Sequence, residues 1–280
     1  MNTIFQYIKI LRPLNVLFTA LSVIITAYLT ESLCNTTIII NTILVVAFFT
    51  GASNILNDIF DLSIDKKNKP ERPLASEKIT LMSAWIYMLI MYILGILFLF
   101  SLPRISILIA LFIVLPLLII YTPYIKRIPL VGNIVISLML GMVFLFSESA
   151  FTGTLDKMWV PAWLAFGLSF IRELIKDIED VEGDKLEGAY TFPAVFGIER
   201  SLHLVYVLTI LFCLIWWAPY YNHTYGNIYA LLLLFTVEIP LIFSIFFLWK
   251  NPTSSSCAII SRASKWITLN GMITILCSSL

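Results

Sequence analysis

Apolar segments long enough to cross a lipid bilayer as helices follow one another along almost the whole chain. A transmembrane helix needs about 20 predominantly apolar residues, and such runs can be placed nine times in this sequence. The predicted spans are 13–31, 38–57, 79–100, 104–121, 130–150, 158–176, 201–219, 227–249 and 262–280. We therefore predict an all-α, polytopic membrane protein that forms a single transmembrane domain over residues 1–280.

The composition supports this class and argues against others. Apolar residues make up 60% of the chain and charged residues 12%, with a mean hydropathy of +0.94, far outside the range of soluble domains. A protein that binds nucleic acid would carry a basic surplus, whereas the net charge here is only +1. We therefore expect membrane lipids as partners and no nucleic acid.

Positive charges are distributed unevenly between the predicted loops. Every lysine and arginine except Arg104 and Lys157 falls in or beside the N-terminal segment and the connections that follow spans 2, 4, 6 and 8. Basic residues accumulate on the cytoplasmic side of membrane proteins. The pattern predicts an integral cell membrane protein with its N-terminus and these loops in the cytoplasm and, after nine spans, its C-terminus outside.

Two acidic motifs end spans 2 and 6. Each places three aspartates at intervals of three and four residues: Asp58, Asp61 and Asp65 in NDIFDLSID, and Asp177, Asp180 and Asp184 in DIEDVEGD. On an α-helix, positions i, i+3 and i+7 fall within an arc of roughly 60°, so each trio is expected to project from one face. Clustered carboxylates repel one another unless a cation lies among them, and hard oxygen ligands suit Mg²⁺ when a phosphate completes its coordination. The motifs therefore predict a Mg²⁺-diphosphate site.

The two motifs are offset by four predicted spans, and each is followed by a long polar loop. Because four helices preserve the direction of the chain, this offset predicts two parallel-repeat halves, about 1–128 and 129–250, followed by a ninth helix. The two halves are expected to meet around a central cavity, so that the two trios converge.

Polar residues near the motifs are candidate partners for phosphate or for the carboxylates. Asn54 falls on the same helical arc as Asp61 and Asp65, so its amide is expected to orient a carboxylate or to reach a metal-bound oxygen. Arg172 and Lys176 accompany the second trio and are expected to neutralise phosphate oxygens or to pair with carboxylates.

A second group of candidates lies at the cytoplasmic ends of spans 1 and 4. Arg12 and Asn15, in RPLN, are placed to contact a phosphate of the acceptor. Arg12 could equally extend its side chain to lipid headgroups. The same two roles, contact with a phosphate or with lipid headgroups, are open for Lys126.

Two longer segments carry a family resemblance. NDIFDLSIDKKNKPERPLAS and RELIKDIEDVEGDKLEGAYTFPAVFG resemble the signature regions of the UbiA superfamily of intramembrane prenyltransferases. Within it, the chain looks most like the archaeal geranylgeranylglyceryl phosphate geranylgeranyltransferases. The resemblance implies nine transmembrane helices around a central chamber that opens sideways to lipid. It also implies Mg²⁺-dependent transfer of a geranylgeranyl group from its diphosphate to the glycerol hydroxyl of geranylgeranylglyceryl phosphate, which makes archaeal ether lipid.

The resemblance also implies roles for individual residues. The aspartates expected to hold Mg²⁺ against the prenyl diphosphate and to act in catalysis are Asp58, Asp61, Asp177 and Asp180, with Asp65 and Asp184 completing the two trios. Arg72, in PERPL, matches the family's loop arginine and would bind diphosphate oxygens. Family members use a tyrosine and a lysine four residues apart at the end of span 4, whereas YTPYIKR places Tyr121 five residues before Lys126.

Two other functions fit parts of the pattern. The acceptor in the same class of enzyme can be an aromatic quinone precursor such as 4-hydroxybenzoate, which needs one partner for its carboxylate, whereas an acceptor with a phosphate favours additional basic residues. A cation transporter also uses intramembrane carboxylates, but these acidic residues lie at the cytoplasmic margin and not at the midplane. Metal-dependent release of diphosphate from an allylic substrate distinguishes the enzyme from the transporter.

Overall fold

The chain folds almost entirely into helices. The structure, a computed structural model, describes residues 3–186 and 190–278, and no strand occurs among them, which confirms the all-α prediction. The helices in chain order are α1 (Thr3–Ile10), α2 (Pro13–Leu29), α3 (Thr36–Phe60), α4 (Leu62–Asn68), α5 (Leu81–Leu99), α6 (Arg104–Ile125), α7 (Val131–Thr152), α8 (Trp159–Leu186), α9 (Phe192–Phe196), α10 (Ile198–Ile215), α11 (Ala218–Tyr221), α12 (Asn227–Lys250) and α13 (Ser254–Ser278). Residues 187–189, in the loop after the second motif, and 279–280, at the end of the last predicted span, lie outside the described residues.

The helices confirm an integral membrane protein but not the predicted number of crossings. Within the described residues, six segments are long and apolar enough to cross a bilayer: α3, α5, α6, α7, α12 and the combined α10 and α11. The bent pair α1 and α2 makes seven if it forms one crossing. The predicted spans 158–176 and 262–280 fall on α8 and α13, which have 28 and 25 residues. Charged and small polar side chains make these two helices less apolar than the six segments above. Nine crossings are therefore not confirmed.

The first of two compact units comprises Met1–Ile125 and Met142–Met158. In it, α3 packs against α2 on one side and α5 on the other. Its apolar core includes Phe49 and Ile55 of α3 together with Met88 and Tyr92 of α5. This packing fixes the end of α3, where the first acidic motif begins.

The second unit comprises Lys126–Gly141 and Trp159–Leu280. Its longest helix, α8, packs against α9, α10 and α13. The first part of α7 also approaches α8 closely, since a Cβ atom added at Gly141 would lie 2.6 Å from the backbone carbonyl oxygen of Ala162. The second acidic motif lies in the last turns of α8. The predicted repeat halves, 1–128 and 129–250, stay a prediction.

The chain bends sharply between α1 and α2. The two helix axes differ by 59°, and Arg12 at the break adopts a left-handed conformation with φ 54°. Helix α1 exposes the apolar side chains of Ile4, Phe5 and Ile8, whereas Gln6 and Ile10 are buried. Such a helix suits the boundary between headgroups and acyl chains, where its apolar face is covered by lipid.

Three segments within the membrane helices form π-turns, which contain one residue more than an α-helical turn. They are Ala110–Val114 and Tyr121–Ile125 in α6 and Leu233–Glu238 in α12. A proline lies inside or shortly after each one, at Pro116, Pro123 and Pro240. Because proline has no backbone N–H, it interrupts the regular hydrogen-bond ladder, and the widened turns lie where the ladder is interrupted.

Candidate functional site

The first acidic motif crosses the junction between α3 and α4. Asp58 lies on the last turns of α3, Asp61 at the junction and Asp65 on α4. The backbone N–H of Asp65 donates to the carbonyl oxygen of Asp61 at 2.8 Å, so the helical progression continues across the junction. All three side chains are buried, with exposures of 2%, 8% and 4%. We call these three residues the first acidic set.

Two arginines bind Asp58 and Asp65 of the first acidic set. Arg12, at the break between α1 and α2, donates from Nη2 to Oδ1 of Asp58. Arg72, in the loop after α4, donates from Nη1 to Oδ1 of Asp58 at 3.3 Å and to Oδ2 of Asp65 at 2.5 Å. Burial raises the pKa of Asp65, and the positive charge of Arg72 acts in the opposite direction. The carboxylates and guanidinium groups thus form one cluster. Its carboxylates can bind a cation, and its guanidinium groups can bind an anion.

The break between α1 and α2 is also tied to this region through its backbone and its neighbours. Asn54 donates from Nδ2 to the carbonyl oxygen of Leu11 at 2.9 Å, so one amide N–H orients the break, and its predicted role beside a carboxylate or a metal-bound oxygen stays a prediction. Lys9 donates from Nζ to the carbonyl oxygen of Glu71 at 3.1 Å. Asn15 lies in the first turn of α2, where its backbone N–H donates to the carbonyl oxygen of Arg12 at 2.9 Å. Three contacts therefore fix the position from which Arg12 reaches Asp58.

The second acidic motif lies on the single helix α8. Asp177, Asp180 and Asp184 are each partly buried, and we call them the second acidic set. Neutral groups hold two of them: Asn133 of α7 donates from Nδ2 to Oδ2 of Asp177 at 2.7 Å, and Thr191 donates from Oγ1 to Oδ2 of Asp184 at 2.8 Å. Asp180 has no hydrogen bond or ion pair to another residue in the described part of the chain.

Burial changes the acidity of the second acidic set. It raises the pKa of Asp177, just beyond the predicted span 158–176, to about 7, and the hydrogen bond from Asn133 acts in the opposite direction. Burial likewise raises the pKa of Asp184, against the hydrogen bond from Thr191. A buried carboxylate attracts a nearby cation more strongly than a fully solvated carboxylate does, because less water screens the two charges.

A fourth acidic residue, Glu173, lies one turn before the second acidic set. It is 9% exposed and accepts from Arg172 Nη1 at Oε1 and from Lys176 Nζ at Oε2, the latter at 3.4 Å. Lys126 lies within electrostatic reach of both Glu173 and Asp184. Sequence reasoning missed Glu173, although continuing the spacing back by one turn from Asp177 would have found it.

A π-turn explains the unusual spacing of the predicted tyrosine and lysine. Tyr121 begins the π-turn Tyr121–Ile125, directly before Lys126. An α-helical turn brings residues four apart onto one face, whereas a π-turn does so for residues five apart. The wider turn accommodates the extra residue in YTPYIKR, and the role of Tyr121 stays a prediction.

The donor chemistry of both acidic sets fits Mg²⁺. Within the described residues, no group of three or more His, Cys, Asp or Glu side chains is arranged to hold a metal ion on its own. Mg²⁺, however, is usually held by one or two carboxylates together with substrate phosphates and not by a complete protein cage. The buried carboxylates match this requirement, with the remaining ligands supplied by a phosphorylated compound and water.

The chain resembles known proteins in sequence. The profile of the UbiA prenyltransferase family matches residues 15–266. Digeranylgeranylglyceryl phosphate synthase of Methanosphaera stadtmanae is 33% identical over 261 residues, which cover 92% of this chain and 93% of the relative. The synthase of the same name from Methanosarcina mazei is 38% identical over 216 residues, which cover 76% of this chain and 74% of the relative.

The fold is also shared with solved structures. A structure described as digeranylgeranylglyceryl phosphate synthase in membranes has a TM-score of 0.79 and 28% identity, over 100% of this chain and 99% of that one. A UbiA homolog from Archaeoglobus fulgidus bound to GPP and Mg²⁺ has a TM-score of 0.71 over 96% of this chain and 99% of that one, and at 20% identity this likeness shows the fold. With the family profile covering most of the sequence and relatives above 30% identity covering nearly all of it, the chain belongs to the UbiA family of intramembrane prenyltransferases.

Proposed function

We propose that this protein transfers a geranylgeranyl group from geranylgeranyl diphosphate to the glycerol hydroxyl of geranylgeranylglyceryl phosphate, in a Mg²⁺-dependent reaction. The first acidic set carries the proposal, because three buried carboxylates, two of which pair with the guanidinium groups of Arg12 and Arg72, suit a diphosphate with its cation. The names of the relatives support the identity of both substrates.

Both acidic sets are the proposed metal ligands: Asp58, Asp61, Asp65, Asp177, Asp180 and Asp184. When bound, Mg²⁺ neutralises charge that develops on the departing diphosphate. The carboxylates orient the cation, and their burial excludes the water that would otherwise weaken the attraction.

The basic residues of the first unit have a second role in this proposal. Arg12 and Arg72 pair with carboxylates in this structure, and the same carboxylates would hold the divalent cation. Both guanidinium groups would donate to diphosphate oxygens, for which their planar fork is well suited. Tyr121 is proposed as a further hydrogen-bond donor to the leaving group, and Asn54 and Asn15 as residues that keep Arg12 in place.

The basic residues of the second unit favour an acceptor that carries a phosphate. Arg172 and Lys176 both contact Glu173, and Lys126 lies within electrostatic reach of it. Within the described residues, Glu173 and the carbonyl oxygen of Ser261 accept only part of the hydrogen bonds that Arg172 and Lys176 can donate. A phosphate monoester, with up to two negative charges and several acceptor oxygens, matches the remainder better than the single carboxylate of 4-hydroxybenzoate.

The proposed orientation places the N-terminus, both acidic motifs and their loops in the cytoplasm and the C-terminus outside. The distribution of lysine and arginine supports it, with only Arg104 and Lys157 assigned to the opposite side. Labelling single introduced cysteines with a membrane-impermeant reagent in intact cells tests this orientation.

A direct assay tests the proposed substrates. The protein is reconstituted in liposomes with Mg²⁺ and geranylgeranyl diphosphate, and either geranylgeranylglyceryl phosphate or 4-hydroxybenzoate is supplied. The prenylated ether lipid is expected with the first acceptor, measured by mass spectrometry together with released diphosphate. Product only with 4-hydroxybenzoate, or diphosphate release without any alkylated acceptor, would contradict the proposal.

Replacing Arg72 by alanine is expected to raise the KM for geranylgeranyl diphosphate roughly thirtyfold, which corresponds to about 2 kcal/mol for a lost charge-assisted hydrogen bond. The KM for the acceptor should change little. Arg72→Lys keeps the charge but not the two-pronged geometry, so it should fall between the wild type and the alanine variant. An unchanged KM for the diphosphate in Arg72→Ala, measured by steady-state kinetics, would reassign Arg72 to a purely structural role.

A further inference from the structure

Asn133 is a buried amide on the first turn of α7 and has no role in the reaction as outlined so far. Its side chain is 6% exposed, and Nδ2 donates to Oδ2 of Asp177 at 2.7 Å. We propose that Asn133 is a positioning residue that holds the Asp177 carboxylate in the orientation in which it binds the divalent cation. This inference rests on the proposed role of the second acidic set.

The choice of an amide has an electrostatic consequence. Arg72 holds Asp58 and Asp65 with a positive charge, which would repel a divalent cation held by the same carboxylates. Asn133 carries no net charge, so it can keep its hydrogen bond to Oδ2 while the other lone pairs of Asp177 bind the metal. Groups that hold metal ligands in this way from outside the coordination shell typically contribute about 10- to 100-fold to metal affinity.

The surroundings of Asn133 are rigid enough for this role. It lies on a helix, where its own carbonyl oxygen accepts from Ser137 Oγ at 2.6 Å. Helix α7 approaches α8 closely at Gly141, where a Cβ atom would lie 2.6 Å from the Ala162 carbonyl oxygen. A donor on a packed helix keeps its direction better than one on a loop, so Asp177 has one preferred orientation before any ligand arrives.

The test measures metal binding directly and does not depend on turnover. Asn133→Leu keeps a similar side-chain volume and removes the donor. We expect its affinity for Mn²⁺ to fall about tenfold, measured by electron paramagnetic resonance on the detergent-solubilised full chain with a thiodiphosphate analogue of geranylgeranyl diphosphate. In an Asp177→Asn background, Asn133→Leu should produce no further loss, because its effect acts through Asp177.

A control on the same helix separates positioning from packing. Ser147 is fully buried and donates from Oγ to the carbonyl oxygen of Val143 on the same helix at 2.7 Å, so Ser147→Ala should bind Mn²⁺ like the wild type. Wild-type affinity in a folded Asn133→Leu protein, an equal loss in Ser147→Ala, or additive losses in the double variant would each overturn the inference. If Asp177→Asn itself binds Mn²⁺ normally, the second acidic set does not hold the metal, and the proposed function loses that site as well.

Discussion

Replacing Asp58 by asparagine is expected to lower kcat/KM for prenyl transfer by on the order of a thousandfold, the loss typical of removing one main electrostatic contact in an active site. Asp58 is the most deeply buried member of the first acidic set, and both Arg12 and Arg72 bind its Oδ1 atom. Asparagine has nearly the same shape but no charge, so it cannot hold Mg²⁺ or balance the two arginines. Steady-state assays over a range of Mg²⁺ concentrations measure the loss.

The same substitution should also lower the free energy of unfolding by about 1 to 3 kcal/mol, because two partly buried guanidinium groups lose their ionic partner. Circular dichroism and thermal unfolding therefore accompany the assay. Glu77→Gln is the matched control, since Glu77 is exposed in the following loop and pairs with Lys66 at 2.8 Å. It should keep full activity. A folded Asp58→Asn protein with wild-type turnover would remove the first acidic set from the reaction.

Asp180→Asn should cause a comparable loss of activity, on the order of a thousandfold, with almost no loss of stability. Its neighbours Asp177 and Asp184 accept hydrogen bonds from Asn133 and Thr191. Asp180, in contrast, accepts no hydrogen bond and forms no ion pair within the described residues. Its carboxylate contributes little to the fold and is free to bind a cation, so activity and stability should separate at this position.

Glu182→Gln provides the control for this second prediction. Glu182 lies two residues further along α8 and is exposed, so removing its charge should change neither turnover nor the unfolding temperature. The two variants are compared by initial rates at saturating Mg²⁺ and by thermal unfolding in the same detergent. Equal activity in Asp180→Asn and Glu182→Gln would mean that Asp180 is only a solvated helix-end charge.

The acidic sets were predictable because their signal is local. Intervals of three and four residues place Asp177, Asp180 and Asp184 along one side of a helix, whatever surrounds them. The first motif follows the same rule even though α3 ends at Phe60, since helical hydrogen bonding continues through Asp61. Spacing therefore indicates both which residues belong together and which kind of element carries them.

The partners of the carboxylates were harder to predict because they come from distant parts of the chain. Asn133 is separated from Asp177 by 44 positions, and Arg12 from Asp58 by 46. No local pattern distinguishes Asn133 from any other polar residue at the start of a membrane helix. Asn54 shows the opposite case, since it lies on the expected arc, yet its amide N–H donates to the Leu11 carbonyl oxygen.

The nine predicted crossings exceed the six, or seven with the bent pair, that length and hydropathy support in the described residues. Helix α8 carries Arg172, Glu173 and Lys176 within its predicted span, where Glu173 pairs with both basic residues. Hydropathy treats each charge as fully exposed to lipid, whereas ion pairs inside a helix bundle reduce that cost. The criterion therefore does not decide whether a helix with buried polar pairs crosses the membrane.

The wide turns in α6 and α12 bear on how chains of this kind can diverge. Inserting one residue in a regular helix rotates everything after it by about 100° and turns its packed face away from its neighbours. The turns at Ala110–Val114, Tyr121–Ile125 and Leu233–Glu238 each confine such an insertion to a single bulge. Single-residue gaps between relatives should therefore collect at these three places inside the bilayer, and a motif search with a fixed interval will overlook chains that carry the bulge.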